Sequence, residues 1–219
     1  MKTGLCIAAL LMSTAAFAQS PPGPYVIDVR GSMSGTPGGA SFYPPVPENT
    51  LAPQRGFGFG AGAHVYPFRL GLSRVGLGID LMRARGTARS PATTSTASGS
   101  TTTIVGSPGA VEASMTVTTV APQLSFNFGT HDGWSYLSAG FGTAQTRAEV
   151  TSTPAASDAA SETVSRARRT HAVNFGGGAR WFLRDHLAVG FDIRFHRLGA
   201  TSGLPSKQIV GLSVGMSVR

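Results

Sequence analysis

The stretch that decides the fold runs from His171 to Leu198 and reads HAVNFGGGARWFL, then RDH, then LAVGFDIRFHRL. In its first half, apolar or small side chains occupy every second position: Val173, Phe175, Gly177, Ala179, Trp181 and Leu183. After the polar turn at 184–186 the alternation resumes with Leu187, Val189, Phe191, Ile193 and Phe195. A period of two is typical of β-strands, so the stretch predicts a β-hairpin with one apolar face.

The opposite face of this hairpin mixes small and charged side chains: Ala172, Asn174, Gly176, Gly178, Arg180, Phe182, Ala188, Gly190, Asp192, Arg194 and His196. Such a mixture is unusual for a sheet surface in water and typical of the interior of a narrow barrel. We therefore expect the apolar face to point outward from a closed barrel. The inverse arrangement, a soluble lipocalin-type barrel that binds a ligand inside, is the alternative.

The same alternation recurs in six further segments. With the two strands of the hairpin, they give eight predicted strands, at 25–33, 55–66, 73–85, 116–128, 134–147, 171–183, 187–198 and 207–218. The connections alternate between long and short, with long loops predicted at 34–54, 86–113 and 148–165. Short turns at one end and long loops at the other are typical of transmembrane barrels with an even number of strands. We therefore predict an all-β fold, an eight-stranded antiparallel up-and-down transmembrane β-barrel.

Composition supports a membrane domain. Only 13% of the residues are charged, and 29 are glycine, whereas a soluble domain normally carries far more charge at its surface. Residues 1–18 predict a secretory signal peptide, with Lys2, an apolar run and the sequence Ala16-Phe17-Ala18 at the cleavage site. The domain then spans 19–219 and contains no cysteine, since Cys6 lies in the signal.

The segments NFGGGARWFL (174–183) and DHLAVGFDIRFH (185–196) resemble the closing strands of the OmpA/OmpX-like outer membrane protein beta-barrel domain family. The resemblance covers essentially the whole chain after the signal. It implies export to the outer membrane of a Gram-negative envelope and insertion by the barrel-assembly machinery. Family members commonly end on an aromatic residue, whereas this sequence departs from that pattern and ends Ser217-Val218-Arg219.

With the apolar rows outward, charged side chains must meet in the lumen. Three carboxylates, those of Asp28, Asp80 and Asp192, balance three guanidinium groups, those of Arg30, Arg180 and Arg194. Buried charges are tolerated when they are paired and hydrogen-bonded, and a barrel of eight strands is narrow enough for side chains to fill. We predict an ionic network that plugs the lumen. A narrow porin-like channel is the alternative.

A second set of arginines maps near the extracellular ends of the strands: Arg83, Arg85, Arg147, Arg168, Arg169 and Arg197. Guanidinium groups bind phosphates in a bidentate manner, so this rim could face lipopolysaccharide; solvated loop charge explains it equally well. The expected partners are outer-membrane lipid and lipopolysaccharide, with no nucleic acid, and we expect a monomer. Nine aromatic side chains near the short turns predict an interfacial girdle: Tyr25, Tyr66, Phe68, Phe126, Phe128, Trp134, Tyr136, Trp181 and Phe182.

No motif in the sequence indicates catalysis. The five histidines show no metal-ligand spacing, and the glycines at 56–62 lie within a predicted strand instead of preceding a helix, as a phosphate-binding loop requires. A lipid A-modifying outer-membrane enzyme is an alternative, but Arg197 and Leu198 follow His196, unlike the His-x-Ser-Asn pattern of the lipid A 3-O-deacylases. We predict a structural or surface-binding protein that is not an enzyme and binds no metal or cofactor.

Overall fold

The computed structural model describes residues 24–44, 50–71, 73–91, 108–129, 132–154, 160–201 and 204–219, so the predicted signal at 1–18 lies outside the described residues. They form eight strands: β1 (Tyr25–Gly35), β2 (Arg55–Leu70), β3 (Ser73–Pro91), β4 (Pro108–Gly129), β5 (Gly133–Pro154), β6 (Glu162–Arg184), β7 (Leu187–Leu198) and β8 (Lys207–Val218). Neighbouring strands are antiparallel, and β1 also pairs with β8. The predicted eight-stranded barrel is confirmed.

The faces of the barrel follow the predicted alternation. Outward side chains are exposed along every strand, for example Val29 at 63% on β1 and Val214 at 66% on β8. The inward side chains are buried, for example Asp28 and Arg30 on β1. Since the apolar rows point away from the lumen, the lipocalin-type alternative is wrong.

The strands extend well past the predicted boundaries on the extracellular side. β3 continues to Pro91, β4 already starts at Pro108, and β5 and β6 reach Pro154 and Glu162. The predicted loops at 86–113 and 148–165 are therefore largely strand in their described parts. The physical reason is that these extensions lie beyond the apolar belt, where no lipid-facing apolar row marks the strand.

The predicted aromatic girdle is partly wrong. Four of its members, Tyr66, Trp134, Tyr136 and Phe182, turn to the inside of the barrel, where the first three are at most 4% exposed. Outward members include Tyr25, Phe68 and Trp181. All nine side chains lie near a short turn, so the predicted end of the barrel is correct. Whether each one points inward or outward depends on the alternation of side chains along its strand.

Glycine keeps the inner wall open where large polar side chains cross it. A Cβ atom on Gly78 would lie 2.2 Å from the His64 ring, and one on Gly62 would lie 2.9 Å from the Asp28 carboxylate. These contacts are too close for any side chain, so the two glycines make room for lumen residues on the neighbouring strands. Among the described residues no helix is both long and apolar enough to span a membrane.

Candidate functional site

The middle of the lumen holds a network of buried ion pairs centred on Arg30. Its Nε atom lies 3.0 Å from Asp28 Oδ1, its Nη1 atom lies 3.7 Å from Asp192 Oδ2, and its Nη2 atom contacts Asp80 Oδ1. One guanidinium group therefore joins all three lumen carboxylates. β1, β3 and β7 supply these side chains, each at an inward position of its strand.

Two further arginines complete the charge balance. Arg194 donates to Asp192 through Nε at 3.2 Å and Nη2 at 2.9 Å, while Arg180 donates from Nη2 to Asp28 Oδ2 at 3.1 Å. The Tyr136 hydroxyl donates to Asp192 at 2.7 Å, and the Arg180 guanidinium lies 3.9 Å from the centre of the Tyr136 ring. The structure thus brings all six predicted lumen residues into one network and adds Tyr136, which the girdle prediction had placed outside.

Neutral polar side chains extend the network across the lumen. Gln123 donates to Asn174 at 2.9 Å, and His64 Nε2 lies 3.3 Å from Gln123 Oε1. Arg194 Nη1 reaches the same Asn174 oxygen at 3.5 Å. The charged groups therefore have polar neighbours on opposite walls of the barrel, as buried charges require.

Two small cavities lie beside the ion pairs. Two cavities of about 10 Å³ each adjoin the network, one next to Arg180 and Ser217 and the other between Arg194 and Met82. A cavity of this size holds about one water molecule.

An apolar cluster lies at the extracellular mouth of the barrel. A 3-10 helix (Ala40–Phe42) between β1 and β2 brings Phe42 and the following Tyr43 over the barrel. There they pack against inward side chains of the long strands and against Leu204: Met82, Val111, Ala113, Met115, Val117, Ala148, Val150 and Ile209. Burial raises the pKa of Tyr43 to about 12, because the ionised phenolate would lose its hydration.

The periplasmic end contains a small aromatic cluster of Val26, Tyr66, Trp134 and Phe182. The Trp134 ring lies 5.0 Å from Phe182 and 6.3 Å from Tyr66, distances that are favourable for aromatic pairs. The Arg219 guanidinium lies 3.9 Å from the centre of the Phe182 ring. The interior thus has three layers, an apolar mouth, a charged middle and an aromatic base.

The rim arginines do not form one cluster. Arg85 and Arg147 lie 3.6 Å and 2.9 Å from the same carboxylate, that of Glu149. In the described part of the chain, no acidic group pairs with the four others: Arg83, Arg168, Arg169 and Arg197. All six side chains are exposed.

Nothing in the described ranges gathers three or more potential metal ligands among histidine, cysteine and acidic residues. His196, the residue considered for a lipid A-modifying enzyme, is 1% exposed and points into the lumen. The wall of the barrel separates it from any lipid outside.

Sequence reasoning missed two groups of lumen residues, the mouth cluster and the aromatic base. One signal was available for the mouth: Val111, Ala113 and Met115 alternate with polar residues before the predicted start of β4 at residue 116, and Val117 continues the alternation. No comparable pattern surrounds Phe42 and Tyr43, which reach the barrel only through the path of the connecting segment.

A closed barrel of eight antiparallel strands, with apolar residues outside and charges inside, defines a transmembrane β-barrel. The chain belongs to the outer membrane protein beta-barrel domain family, whose family model matches residues 4–217. This family places the protein in the outer membrane of the Gram-negative envelope.

Solved structures are similar to this chain at low sequence identity. Neisserial surface protein A is 11% identical, with a TM-score of 0.52, over 90% of this chain and 97% of that one. The outer membrane protease OmpT from Escherichia coli is 9% identical, with a TM-score of 0.48, over 94% and 99% of the two chains. Ail of Yersinia pestis is also 9% identical, with a TM-score of 0.46, over 89% and 96%. No curated protein matches the sequence.

Proposed function

We propose that this protein is a non-enzymatic outer-membrane barrel with a closed lumen, which acts through its outer surface and its extracellular ends. The observation that carries the proposal is the contact of Arg30 with all three lumen aspartates. An ion that entered the lumen would have to break these pairs, and the cavities beside them hold only about one water molecule each.

The alternatives of a channel and an enzyme are less well supported. A porin-like path would have to cross the apolar mouth around Phe42 and the aromatic base around Trp134 as well as the ion pairs. A lipid A-modifying enzyme would need a reactive group at the lipid surface, whereas His196 is buried in the lumen.

Conductance measurements test the closed lumen. Purified protein is reconstituted into liposomes, and flotation with the lipid confirms insertion before fusion to a planar bilayer. We expect no discrete conductance steps. Reproducible steps of constant size from the wild-type protein would establish the channel and overturn the proposal.

We further propose that the rim binds lipopolysaccharide phosphates through outward arginines. Arg83 and Arg169 are members of one cross-strand row, which runs through Thr118 on β4 and Gln145 on β5. Arg83 is also paired with the apolar Phe59 of β2, so the row lies at the upper border of the apolar belt. Neither arginine has an acidic partner among the residues that the structure describes.

The binding of lipopolysaccharide micelles to the purified barrel tests this rim. We expect the double variant Arg83→Gln, Arg169→Gln to bind more weakly and with a smaller salt dependence, because two phosphate contacts are lost. Arg89→Gln is the matched control, since Arg89 already pairs with Glu112 at 2.6 Å. Equal binding by both variants would assign the rim arginines to solvated surface charge.

A further inference from the structure

The outward face of the barrel contains an apolar trough along β5 and β6. Its volume is about 830 Å³, which is within the range of roughly 300–1,000 Å³ found for ligand pockets. Small residues form much of its floor: Ser135, Ala139, Gly177 and Ala179. Larger side chains surround these residues, from β4 and β7 and also from β5 and β6: Leu124, Phe126, Phe128, Leu137, Phe175, Phe191, Ile193 and Phe195.

The strand register produces this shape. Ala139 is paired with Leu124 and Phe175, and Gly177 is paired with Leu137 and Ile193. In each cross-strand row, a small residue in the middle of the sheet is flanked by larger ones. From residue 135 to residue 139, four residue steps, the trough extends about 13 Å along β5.

The trough begins at the periplasmic end of the membrane surface. Phe128 directly precedes Gly129, where β4 ends at a short turn, and Ser135 lies just after that turn. Leu70 and Val75, which also line the trough, flank the short turn between β2 and β3. Short turns mark the periplasmic side of an outer-membrane barrel, so the periplasmic leaflet covers this end of the trough.

The chemistry of the lining suits a hydrocarbon chain. None of the residues that line the trough is charged. Beyond its periplasmic end, Trp181 follows Ala179 on the outward face of β6 and lies 5.8 Å from Phe191, ring centre to ring centre. Tryptophan is enriched at the level of the lipid headgroups, so a lipid could place its headgroup beside Trp181 and its chain in the trough.

A second copy of the chain fits this surface less well. A symmetric dimer brings the same patch of both subunits together, and the patch must therefore complement itself. This patch is concave and surrounded by protruding side chains, so two copies would meet at these side chains with the trough unfilled.

We propose that the trough is a binding site for one acyl chain of a phospholipid from the periplasmic leaflet. The inference rests on the membrane placement of the barrel and is independent of whether the lumen is closed. The site holds a bound lipid in place, in contrast to the exchanging lipids around the remaining outward face.

Two substitutions that fill the trough test the site. Ala139→Phe and Ala179→Phe each place a ring on its floor, while Ala63→Phe puts the same ring on the outward face of β2, outside the trough. All three positions face lipid, so the fold should tolerate each ring. A heat-dependent mobility shift in SDS confirms folding before binding is measured.

Native mass spectrometry in detergent, with added dioleoyl phosphatidylethanolamine, gives the readout. We expect wild type and Ala63→Phe to retain one lipid per barrel. Ala139→Phe and Ala179→Phe should retain it roughly tenfold less, a factor that the lost burial of about two methylene groups produces. Equal retention by all variants, or no retained lipid in wild type, would overturn the proposal. So would a wild-type dimer that the two filling substitutions abolish, because a second copy would then occupy the trough.

Discussion

Arg30 shows how much a single residue can determine in a narrow lumen. Its guanidinium group contacts Asp28, Asp80 and Asp192, and all four side chains are at most 8% exposed. The removal of three carboxylates from water costs several kcal/mol each unless cations compensate for it. The complete network compensates each buried charge. Loss of any one partner would leave a buried charge without its counter-ion and would therefore destabilise the barrel.

At the residue scale, we predict that Asp192→Ala destabilises the barrel by about 3–5 kcal/mol, the usual loss when one partner of a buried ion pair is removed. The substitution leaves Arg194 without its two hydrogen bonds to the carboxylate, and the Tyr136 hydroxyl without its acceptor. Urea unfolding in detergent micelles, followed by tryptophan fluorescence, measures the shift of the midpoint.

Glu112→Ala is the control for that measurement. Glu112 also pairs with an arginine, Arg89, but both side chains are exposed, so the change should cost less than about 1 kcal/mol. If the two variants unfold at the same urea concentration, the lumen ion pairs do not stabilise the barrel.

At the scale of the elements, β4 explains why the predicted strand boundaries were too short. From Val111 to Val117 its apolar side chains point inward to the mouth cluster, whereas from Val120 to Phe128 they point outward. The pattern reverses because the first part of the strand is surrounded by water and the second part by lipid. A search for one continuous apolar row therefore begins the strand too late.

The glycines of the inner wall yield a prediction for β3. Gly78→Ala should destabilise the barrel by about 1–3 kcal/mol, the usual cost of overpacking, because the new Cβ would lie 2.4 Å from the Ala63 carbonyl oxygen as well as against the His64 ring. The same urea titration in micelles measures this effect.

Gly31→Ala is the matched change on β1, where the nearest atom to a new Cβ is 3.8 Å away. We expect a neutral or slightly stabilising effect there, because alanine restricts the unfolded chain more than glycine does. Equal destabilisation at both positions would mean that glycine is needed for strand curvature in general, and not for space around His64.

At the scale of the whole molecule, the pairing of β1 with β8 leaves no free edge in the part of the barrel where all eight strands pair. Each strand there pairs with a neighbour on both sides, and the hydrocarbon of the membrane offers no hydrogen-bond partners that could replace this pairing. We predict that the unboiled protein runs at a different position from the boiled protein on an SDS gel. Identical mobility in both lanes would contradict a stable closed barrel.

Much of the candidate site could be predicted because alternation and charge are local properties of the sequence. The period of two placed Asp28, Asp80 and Asp192 on the same side as Arg30, Arg180 and Arg194. The structure adds which groups meet, since Arg30 on β1 reaches Asp80 on β3 and Asp192 on β7 only after the sheet has closed.

The sequence by itself determined the strand number, the alternation of the two faces and the outward position of the apolar rows. The reason is that each outward position in the membrane contacts lipid and is therefore apolar or small, whatever lies elsewhere in the chain. Only the tertiary structure decided the contacts across the lumen, the packing of Phe42 and Tyr43 in the mouth cluster, and the trough on the outer wall. Each of these depends on strand register or on the path of a connection. Strand register and the path of a connection both bring together residues that are far apart in the chain. A local sequence pattern therefore cannot predict these contacts.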